Sequence, residues 1–402
     1  MPCVMTGEGE QVSMTTLPGW TPCAALRTRQ VATSKRPFVT ELGHTLSDIT
    51  VAYETWGEIN AQRDNVVLVF HALTGDSHAA SHPELPGDSF GWWEPVIGPG
   101  KPIDTDRYHV ICANVLGSCY GTTGPRSIGP DGQRYNLRFP ALTMRDLVNC
   151  QLRLLDELEI YQIACAIGGS LGGMQVVELA TSVPPRVDRA VVVAASARFH
   201  SQGIAFNEIQ RRSIMLDPCW LGGNYDDDNP PADGIAVARM LGMLTFQSDE
   251  YMSARFDRQP ASRLSHWPDF QSRFDVEGYL HHQGDKLAGR FDANTYLYLS
   301  RAMDTHDIGR ERGGLHSAAS RITADTTVIG VSSDVLFPAR YVRETACAIN
   351  DAGGNARYWE LDSPEGHDAF LKEFERLDPV LREAVTGQQA QVEPATAVHA
   401  RA

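Results

Sequence analysis

The sequence of 402 residues predicts a doubly wound α/β fold, in which helices cover both faces of a mostly parallel sheet and a helical insertion lies over one end. Three observations predict this class. Short apolar runs rich in β-branched residues recur along the chain, helical patterns separate them, and one long stretch without strand runs interrupts the alternation. Apolar runs that are continuous rather than alternating indicate strands buried on both faces, and their alternation with helices indicates a parallel sheet.

Five apolar runs predict buried strands, in chain order Asn65–His71, His109–Val115, Ile163–Gly168, Asp188–Ala195 and Thr326–Ser332. A strand-like run at Arg357–Leu361 precedes the last predicted helix. Ala141–Glu159 has apolar residues three and four positions apart, which is typical of an amphipathic crossover helix. Asp233–Ser248 and Arg290–Met303 also look helical, and no strong strand run occurs near them. Functional lids occupy insertions of this kind.

The chain is therefore expected to divide into four parts. Residues 1–35 are rich in Thr, Gly and Pro and predict a loose N-terminal segment. Residues 36–199 and 320–385 are expected to form the α/β core, and residues 200–319 a helical lid inserted between its two parts. Residues 386–402 contain no large apolar side chain and predict a disordered tail.

Charge and composition exclude several classes of function. The 35 Lys and Arg against 50 Asp and Glu leave a net charge of −15, so the basic surface of a nucleic-acid-binding protein is absent. No run reaches the roughly 18 apolar residues of a membrane span. The N-terminus lacks the basic start and following apolar run of a signal peptide, so no signal peptide is expected. We expect a cytoplasmic protein with reduced thiols, because several of the eight cysteines lie inside apolar stretches, where a free Cys acts as a small buried hydrophobe. The absence of a CxxC pair argues against a zinc site or a redox motif.

The segment Gly168–Gly173 (GGSLGG) lies between a predicted strand and a predicted helix. This is the G-x-S-x-G pattern in the strand–turn–helix context that positions a serine nucleophile. Gly168 and Gly172 are expected because the turn brings the two backbones too close for a Cβ atom. Ser170 would then be strained and exposed beside the positive end of the helix dipole. A phosphate-binding loop is the alternative, but the segment lacks the lysine of a Walker motif and is not G-x-G-x-x-G.

A serine nucleophile needs a base and an acid that orients the base, and in this architecture they follow in the order Ser, Asp or Glu, His. His367 is the last histidine before the predicted tail and lies in a polar loop ahead of the final helix, so it is the predicted base. His71 precedes the serine in the chain, so it does not fit the expected position of the base. The histidines of the insertion are better explained by surface or packing roles: His281, His282, His306 and His316.

Asp334 is the predicted acid. It directly follows a strand run, where strand ends project side chains into the active-site crevice, and it lies 33 residues before His367, which leaves room for one helix and one strand. Asp362 and Asp325 are competitors. Asp362 is too near His367 in sequence, and Asp325 precedes its strand.

Acyl transfer also needs backbone N–H donors for the developing oxyanion. The amide of Leu171, directly after the nucleophile, is one expected donor. The loop His71–Gly75, which follows the first apolar run, is expected to supply the second donor through the amide of Leu73.

Seven segments, in the same order along the chain, together resemble the homoserine O-acyltransferases of methionine biosynthesis. They are Tyr53–Gly57, His71–Gly75, Asn114–Pro125, Gly168–Gln175, Ala238–Met240, Tyr279–Asp292 and Gly366–Phe370. Each segment is a weak signal alone, but seven in order are specific. They extend over most of the chain between the predicted loose segment and the predicted tail.

The resemblance implies an α/β-hydrolase fold with a helical lid, and a homodimer formed through the lid helices. It implies Ser170, Asp334 and His367 as catalytic residues, no tightly bound cofactor, and acetyl-CoA or succinyl-CoA as co-substrate. It also implies that Arg239 and Asp368 contact the amino-acid substrate. One cation and one anion suit the carboxylate and the ammonium of such an acceptor.

The resulting hypothesis is an L-homoserine O-acetyltransferase that works by ping-pong acyl transfer through an acyl-serine. Three enzyme alternatives remain open: a homoserine O-succinyltransferase, a serine O-acyltransferase, and a serine esterase or hydrolase. A non-enzymatic binding module on the same fold would not need Ser, Asp and His together. The expected partners are therefore small-molecule substrates, without nucleic acid or membrane.

Overall fold

A computed structural model describes residues 17, 20–85, 87–260 and 274–388 of the chain. Its strands are β1 (Arg27–Ala32), β2 (Phe38–Val39), β3 (Thr45–Leu46), β4 (Ile49–Trp56), β5 (Val66–Phe70), β6 (Ile97–Gly98), β7 (Ile103–Asp104), β8 (His109–Ala113), β9 (Cys165–Gly169), β10 (Arg189–Val193), β11 (Asp325–Val331) and β12 (Ala356–Leu361). Its helices are α1 (Met144–Glu157), α2 (Leu171–Ser182), α3 (Ser201–Leu216), α4 (Ala232–Phe246), α5 (Asp249–Phe256), α6 (Asp275–Ala288), α7 (Ala293–Asp304), α8 (Leu315–Ala319), α9 (Ala339–Asp351) and α10 (Phe374–Thr386). None of these described helices is long and apolar enough to cross a membrane.

Eight of the strands form one central sheet, in the order β1-β4-β8-β5-β9-β10-β11-β12. The strands from β8 onward in that order all pair in parallel. At the other end, β4 pairs antiparallel with β8, and β1 pairs antiparallel with β4 at the edge. The predicted α/β class with a mostly parallel sheet is confirmed.

Two apolar cores lie on opposite faces of this sheet. All five residues of β5 are buried, and they alternate between the cores: Leu68 and Phe70 belong to one, Val67 and Val69 to the other. A strand that is covered on both faces needs apolar residues at every position, whereas a half-exposed strand alternates. This explains why continuous apolar runs predict the central strands.

The structure differs from the prediction near the N-terminus. Residues 27–32, in the segment predicted to be loose, form β1, whose pairing with β4 runs from Arg27 opposite Tyr53 to Ala32 opposite Ile49. The prediction of a loose segment through residue 35 is wrong for this strand, because an edge strand of mixed polarity (RTRQVA), buried at only three of its six positions, has no continuous apolar run. Residues 1–16 of that segment and residues 389–402 of the predicted tail lie outside the described residues.

The chain between β10 and β11 contributes helices α3 to α8, and its described residues contain no strand. We call this stretch the helical insertion. Helix α4 packs against α3 and α6, and also against the 3-10 turn Gly366–Leu371, which follows β12. Helix α4 of the insertion therefore lies next to the carboxyl ends of the parallel strands.

Candidate active site

The turn between β9 and α2 gives Ser170 an unusual backbone conformation. Its φ and ψ are 58° and −125°, and residues held in such sparsely populated regions cost about 1–3 kcal/mol each. A Cβ added to Gly172 would lie 2.1 Å from the carbonyl oxygen of Phe70, and one added to Gly168 would lie 2.6 Å from the carbonyl carbon of Gly172. The two glycines therefore allow the close approach of strand and helix that keeps the turn sharp.

Replacing Gly172 with alanine is expected to lower the free energy of unfolding by about 3 kcal/mol. The added methyl group would overlap the backbone at the end of β5, and backbone cannot move aside as a flexible side chain can. Gly278→Ala in α6 is the matched control, because a Cβ there meets no atom within 4 Å and should stabilise the helix by up to about 1 kcal/mol. Urea unfolding measures both changes, and equal stability of the two variants would contradict the packing argument.

Asp334 and His367 are hydrogen-bonded to each other beyond the ends of the parallel strands. Asp334 follows β11, His367 lies in the 3-10 turn after β12, and Nδ1 of His367 is 2.7 Å from Oδ2 of Asp334. The other carboxylate oxygen, Oδ1, accepts hydrogen bonds from the amides of Leu336 and Phe337, both at 2.8 Å. The Phe337 ring stacks on the imidazole, with 5.4 Å between the ring centroids. Both members of the pair are buried, so their mutual orientation is well defined.

The two competing acids make other contacts. Asp362 is exposed and accepts a hydrogen bond from the Ser332 hydroxyl at 3.0 Å. Asp325 is exposed at the first position of β11, at the opposite end of that strand from Asp334. Of the three carboxylates considered from the sequence, Asp334 is the one that the fold brings to His367.

The charges around His367 favour its protonated form. Burial lowers the pKa of the imidazole, but the carboxylates of Asp334 and Asp368 outweigh burial and raise that pKa above the ordinary 6.5. Burial raises the pKa of Asp368, while the positive charges of His367 and Arg239 oppose that rise. His367 is therefore suited to accept a proton from a neighbouring hydroxyl group.

Ser170 and His367 line one cavity of about 210 Å³. Its lining also includes three residues singled out in the sequence and one further cation: Leu73, Arg239, Asp368 and Arg290. Leu171 is the first residue of α2, directly after Ser170. Within the described residues, neither the Leu73 amide nor the Leu171 amide donates a hydrogen bond to another protein group. Both expected oxyanion donors are thus available to a ligand.

Arg239, on α4, is a cation that lines the cavity and interacts electrostatically with the carboxylate of Asp368 without forming an ion pair with it. Its guanidinium lies over the Phe246 ring, 5.2 Å from the ring centroid. No hydrogen bond or ion pair within the described part of the chain involves this guanidinium, whereas Arg211 on α3 pairs with Asp304 at 2.7 Å. Burial lowers the pKa of Arg239, as expected for a charge without a close partner. A ligand carboxylate would supply that partner.

Asp368 brings a carboxylate to the same cavity. Its Oδ2 accepts a hydrogen bond from the Gln247 side chain at 2.6 Å. Among the described residues no donor reaches the other oxygen, which leaves it available to an ammonium group. The cavity therefore combines a serine in a strained turn, a histidine paired with an acid, one cation and one anion.

Arg290 is a cavity residue to which the sequence assigned no role. Its Nη1 donates to the Thr74 carbonyl at 3.0 Å and to the Tyr120 hydroxyl at 2.8 Å, and Tyr120 in turn donates to the Arg290 carbonyl at 2.7 Å. These bonds attach the loop that contains Leu73 to the helical insertion. The only sequence signal for Arg290 is its position inside the segment Tyr279–Asp292, and only the folded chain places it beside Ser170.

Comparisons with known proteins agree with this architecture. The family model described as the alpha/beta hydrolase fold matches residues 65–374. The homoserine O-acetyltransferase of Symbiobacterium thermophilum is 49% identical over 89% of this chain and 94% of its own length. The homoserine O-acetyltransferase of Carboxydothermus hydrogenoformans is 46% identical over 88% of this chain and 94% of its own length.

Two solved structures have the same overall fold. The homoserine O-acetyltransferase from Bacillus anthracis has a TM-score of 0.84 at 26% identity, covering 91% of this chain and 99% of that one. A crystallised esterase has a TM-score of 0.82 at 28% identity, covering 90% and 99%. Since a transferase and an esterase share the fold, the fold alone does not identify the reaction. Identity near one half over almost the whole length does identify the family: the chain belongs to the homoserine O-acetyltransferases of the alpha/beta hydrolase fold.

Proposed function

We propose that this chain transfers an acetyl group from acetyl-CoA to the side-chain hydroxyl of L-homoserine through an acetyl-serine at Ser170. The observation that carries the proposal is the pair of charges beside Ser170, the unpaired guanidinium of Arg239 and the carboxylate of Asp368. Ester hydrolysis needs only a nucleophile, a base with its acid, and oxyanion donors. The two additional charges favour an acceptor that carries both a carboxylate and an ammonium group.

In the first half-reaction, His367 takes the proton of the Ser170 hydroxyl as the oxygen attacks the thioester carbonyl. The amides of Leu73 and Leu171 stabilise the oxyanion, and Asp334 stabilises the imidazolium through its 2.7 Å hydrogen bond. The C–S bond then breaks, the leaving thiolate takes the proton from His367, and an acetyl-serine remains. Acetyl-CoA acts here as a co-substrate, and the scheme uses no tightly bound cofactor.

In the second half-reaction, L-homoserine binds with its carboxylate at Arg239 and its ammonium at Asp368. His367 removes the proton of the side-chain hydroxyl, and the oxygen attacks the carbonyl of the acetyl-serine. The bond to Ser170 breaks, and the serine regains the proton from His367. Water competes for the acetyl-enzyme, so a helical insertion that excludes water favours transfer over hydrolysis.

A succinyl donor is the second candidate. Arg290 is a further cation in the cavity, and a succinyl group carries a carboxylate that such a cation would bind. Its hydrogen bonds to Thr74 and Tyr120 already engage part of this guanidinium. Acetyl is therefore the donor that we favour.

Thiol release tests this function against its alternatives. The enzyme is mixed with acetyl-CoA or succinyl-CoA, together with L-homoserine, L-serine or no acceptor, and free thiol is followed with time. We expect a single-turnover burst with acetyl-CoA alone and steady release only when homoserine is added. Steady release without any amino acid would identify an esterase. Faster release with serine or with succinyl-CoA would identify a different acceptor or donor.

Activity is expected to rise with pH through the pKa of His367. The imidazole must be neutral to accept the proton of Ser170. Burial lowers its pKa, but Asp334 and Asp368 raise it by more, so it lies above 6.5. Below that pKa, kcat/KM for acetyl-CoA should fall about tenfold per pH unit, and above it the value should be level.

The Asp368→Asn variant tests the cause of this pH dependence. One of the two carboxylates that raise the pKa of His367 is lost, so the acid limb of the profile should move to lower pH. The kcat/KM for acetyl-CoA is the right readout, because the acceptor takes no part in the first half-reaction. An acid limb at the same pH in Asp368→Asn and in the wild type would contradict the assignment.

We also propose that two copies of the chain associate through the helical insertion. Helices α3 and α4 pack together and expose large apolar side chains, each at least half exposed: Ile209, Leu216, Val237 and Leu244. Apolar patches of this kind mark interaction sites. Sedimentation should show a dimer for the wild type and for Leu42→Glu, an exposed control position in the α/β core, but a monomer for Ile209→Glu combined with Val237→Glu. A monomeric wild type would contradict the proposal.

A further inference from the structure

Four side chains with metal-binding atoms meet outside the cavity that contains Ser170. They are Cys23, Glu54, His78 and His82, and one ligand atom from each lies within 4.8 Å of all the others. They come from three parts of the chain: the segment before β1, strand β4, and the loop after β5. None of the four lines the cavity around Ser170, and none has a role in the proposed acetyl transfer.

Two contacts in this cluster are close to the spacing of metal ligands. Oε2 of Glu54 lies 2.9 Å from Nδ1 of His78 and 3.0 Å from Nε2 of His82. Tetrahedral coordination with bonds of about 2.0–2.3 Å places neighbouring ligand atoms about 3–4 Å apart. Small side-chain shifts are therefore enough to admit a metal ion between these atoms.

The second nitrogen of each imidazole also has an acceptor. Nε2 of His78 lies 2.9 Å from the carbonyl oxygen of Ser89, and Nδ1 of His82 lies 3.4 Å from Oε1 of Glu84. Metal-binding histidines almost always donate their second N–H to an acceptor of this kind, which turns the lone pair of the first nitrogen toward the metal. Without a metal ion, the nitrogens that face the cluster donate to Oε2 of Glu54, and a bound ion would displace those protons while the second N–H of each ring keeps its acceptor.

Burial and charge also suit a divalent cation. The side chains of Glu54 and His82 are 2% and 4% exposed, and the Ser77 hydroxyl donates to Oε1 of Glu54 at 3.1 Å, which leaves Oε2 to face the imidazoles. One carboxylate and one thiolate neutralise a divalent ion, so the loaded site buries no net charge. A cavity of about 560 Å³, lined in part by Cys23 and His78, gives the ion room to reach the cluster.

Cys23 is the ligand that distinguishes a metal site from a network of hydrogen bonds around Glu54. Its thiol donates to Oδ1 of Asp88 at 3.3 Å. When a metal ion binds, the thiol proton passes to the solvent and Sγ binds the ion as a thiolate. A hydrogen-bonded network would need only Glu54 and the two imidazoles, and it would leave the thiol protonated.

We propose that Cys23, Glu54, His78 and His82 form a structural site for Zn²⁺. One thiolate, two imidazoles and one carboxylate are ligands that Zn²⁺ accepts, and four protein ligands leave no open position for catalysis. The bound ion ties the N-terminal segment to β4 and to the loop after β5, which also contains Leu73. It stabilises this part of the fold and takes no part in the chemistry at Ser170.

Cobalt substitution tests the site in the full chain without an affinity tag. The protein is stripped with a chelator and titrated with Co²⁺, whose absorption reports the ligand type and the geometry. We expect one Co²⁺ per chain, with the strong visible bands of tetrahedral coordination and a near-ultraviolet thiolate-to-cobalt band. Zn²⁺ should abolish both and should raise the unfolding temperature of the stripped protein. A stripped protein that takes up no Co²⁺ would overturn the proposal and leave a metal-free network around Glu54.

Cys23→Ser is the decisive variant. It should lose the thiolate-to-cobalt band, while Cys347→Ser, which removes an exposed thiol, should keep it. His82→Gln is the second variant, which keeps the test valid if the first fails to fold, and it should weaken Co²⁺ binding at least tenfold with an unchanged circular dichroism spectrum. A thiolate band that persists in Cys23→Ser, or unchanged affinity in a folded His82→Gln, would show that the metal binds elsewhere.

Discussion

Ser170→Ala is expected to lower kcat/KM for acetyl transfer by a factor of about 10⁴ or more. The variant keeps the cavity, the base and the oxyanion donors, but no atom is left to carry the acetyl group between the two half-reactions. A factor of 10⁴ corresponds to about 5.4 kcal/mol of lost transition-state stabilisation. The loss should appear in kcat rather than in substrate binding, because the Ser170 oxygen forms its bond only during the reaction.

Mass spectrometry after mixing with acetyl-CoA alone separates this role from a structural one. The wild type should carry one acetyl group on the peptide that contains Ser170, and Ser170→Ala should carry none. Ser196→Ala is the matched control: its hydroxyl is also buried, but it donates to the Arg198 carbonyl at 2.8 Å. An acetyl adduct that persists in Ser170→Ala would move the nucleophile to another residue.

Asp334→Asn should also reduce kcat/KM by about 10⁴. Oδ1 of Asp334 accepts two amide hydrogen bonds, from Leu336 and Phe337. An asparagine must keep its oxygen at that position, so its NH₂ group faces Nδ1 of His367. The imidazole would then carry its proton on Nε2 and could not take the proton of Ser170. The volume of the side chain hardly changes, so the loss comes from the tautomer.

Asp362→Asn is the control for this substitution. By sequence position, Asp362 is an alternative candidate for the acid that orients His367, but it is exposed and contacts Ser332. Its loss should leave kcat/KM within a factor of two or so, as usual for an exposed side chain away from the chemistry. Comparable losses in Asp362→Asn and Asp334→Asn would show that the acid assignment is wrong. Thermal unfolding of both variants checks that the comparison is between folded proteins.

Most of the sheet is predictable because its central strands are covered on both faces. Strands such as β5 and β10 are nearly continuous apolar runs, and burial on two faces demands this. Strand β4 has no such run, although most of it is buried. It contains Glu54, whose burial is possible only because the Ser77 hydroxyl and the imidazoles of His78 and His82 contact it in the folded chain. A buried carboxylate of this kind cannot be recognised from the strand alone.

The parts of the active site differ in the same way: some are visible in a short stretch of sequence, and others depend on the packing of distant segments. The turn around Ser170 spans only a few residues, so its glycines and its place between a strand and a helix are visible in the sequence. The meeting of Arg239 with Asp368 depends instead on how α4 packs against the turn after β12. The role of Arg290 in attaching the loop after β5 to the insertion likewise needs the packed structure.

The sequence by itself therefore determined the α/β class, the position of the strained serine, and the chain order of the acid and the base. These features depend on local backbone geometry and on burial, which the pattern of neighbouring residues encodes. The sequence also favoured Asp334 over Asp362 and Asp325, and in the tertiary structure Oδ2 of Asp334 lies 2.7 Å from Nδ1 of His367. Only the tertiary structure brought together the cluster of Cys23, Glu54, His78 and His82, which the missing CxxC pair gave no reason to expect. Contacts between distant parts of the chain depend on strand order and loop packing, which no short stretch of sequence contains.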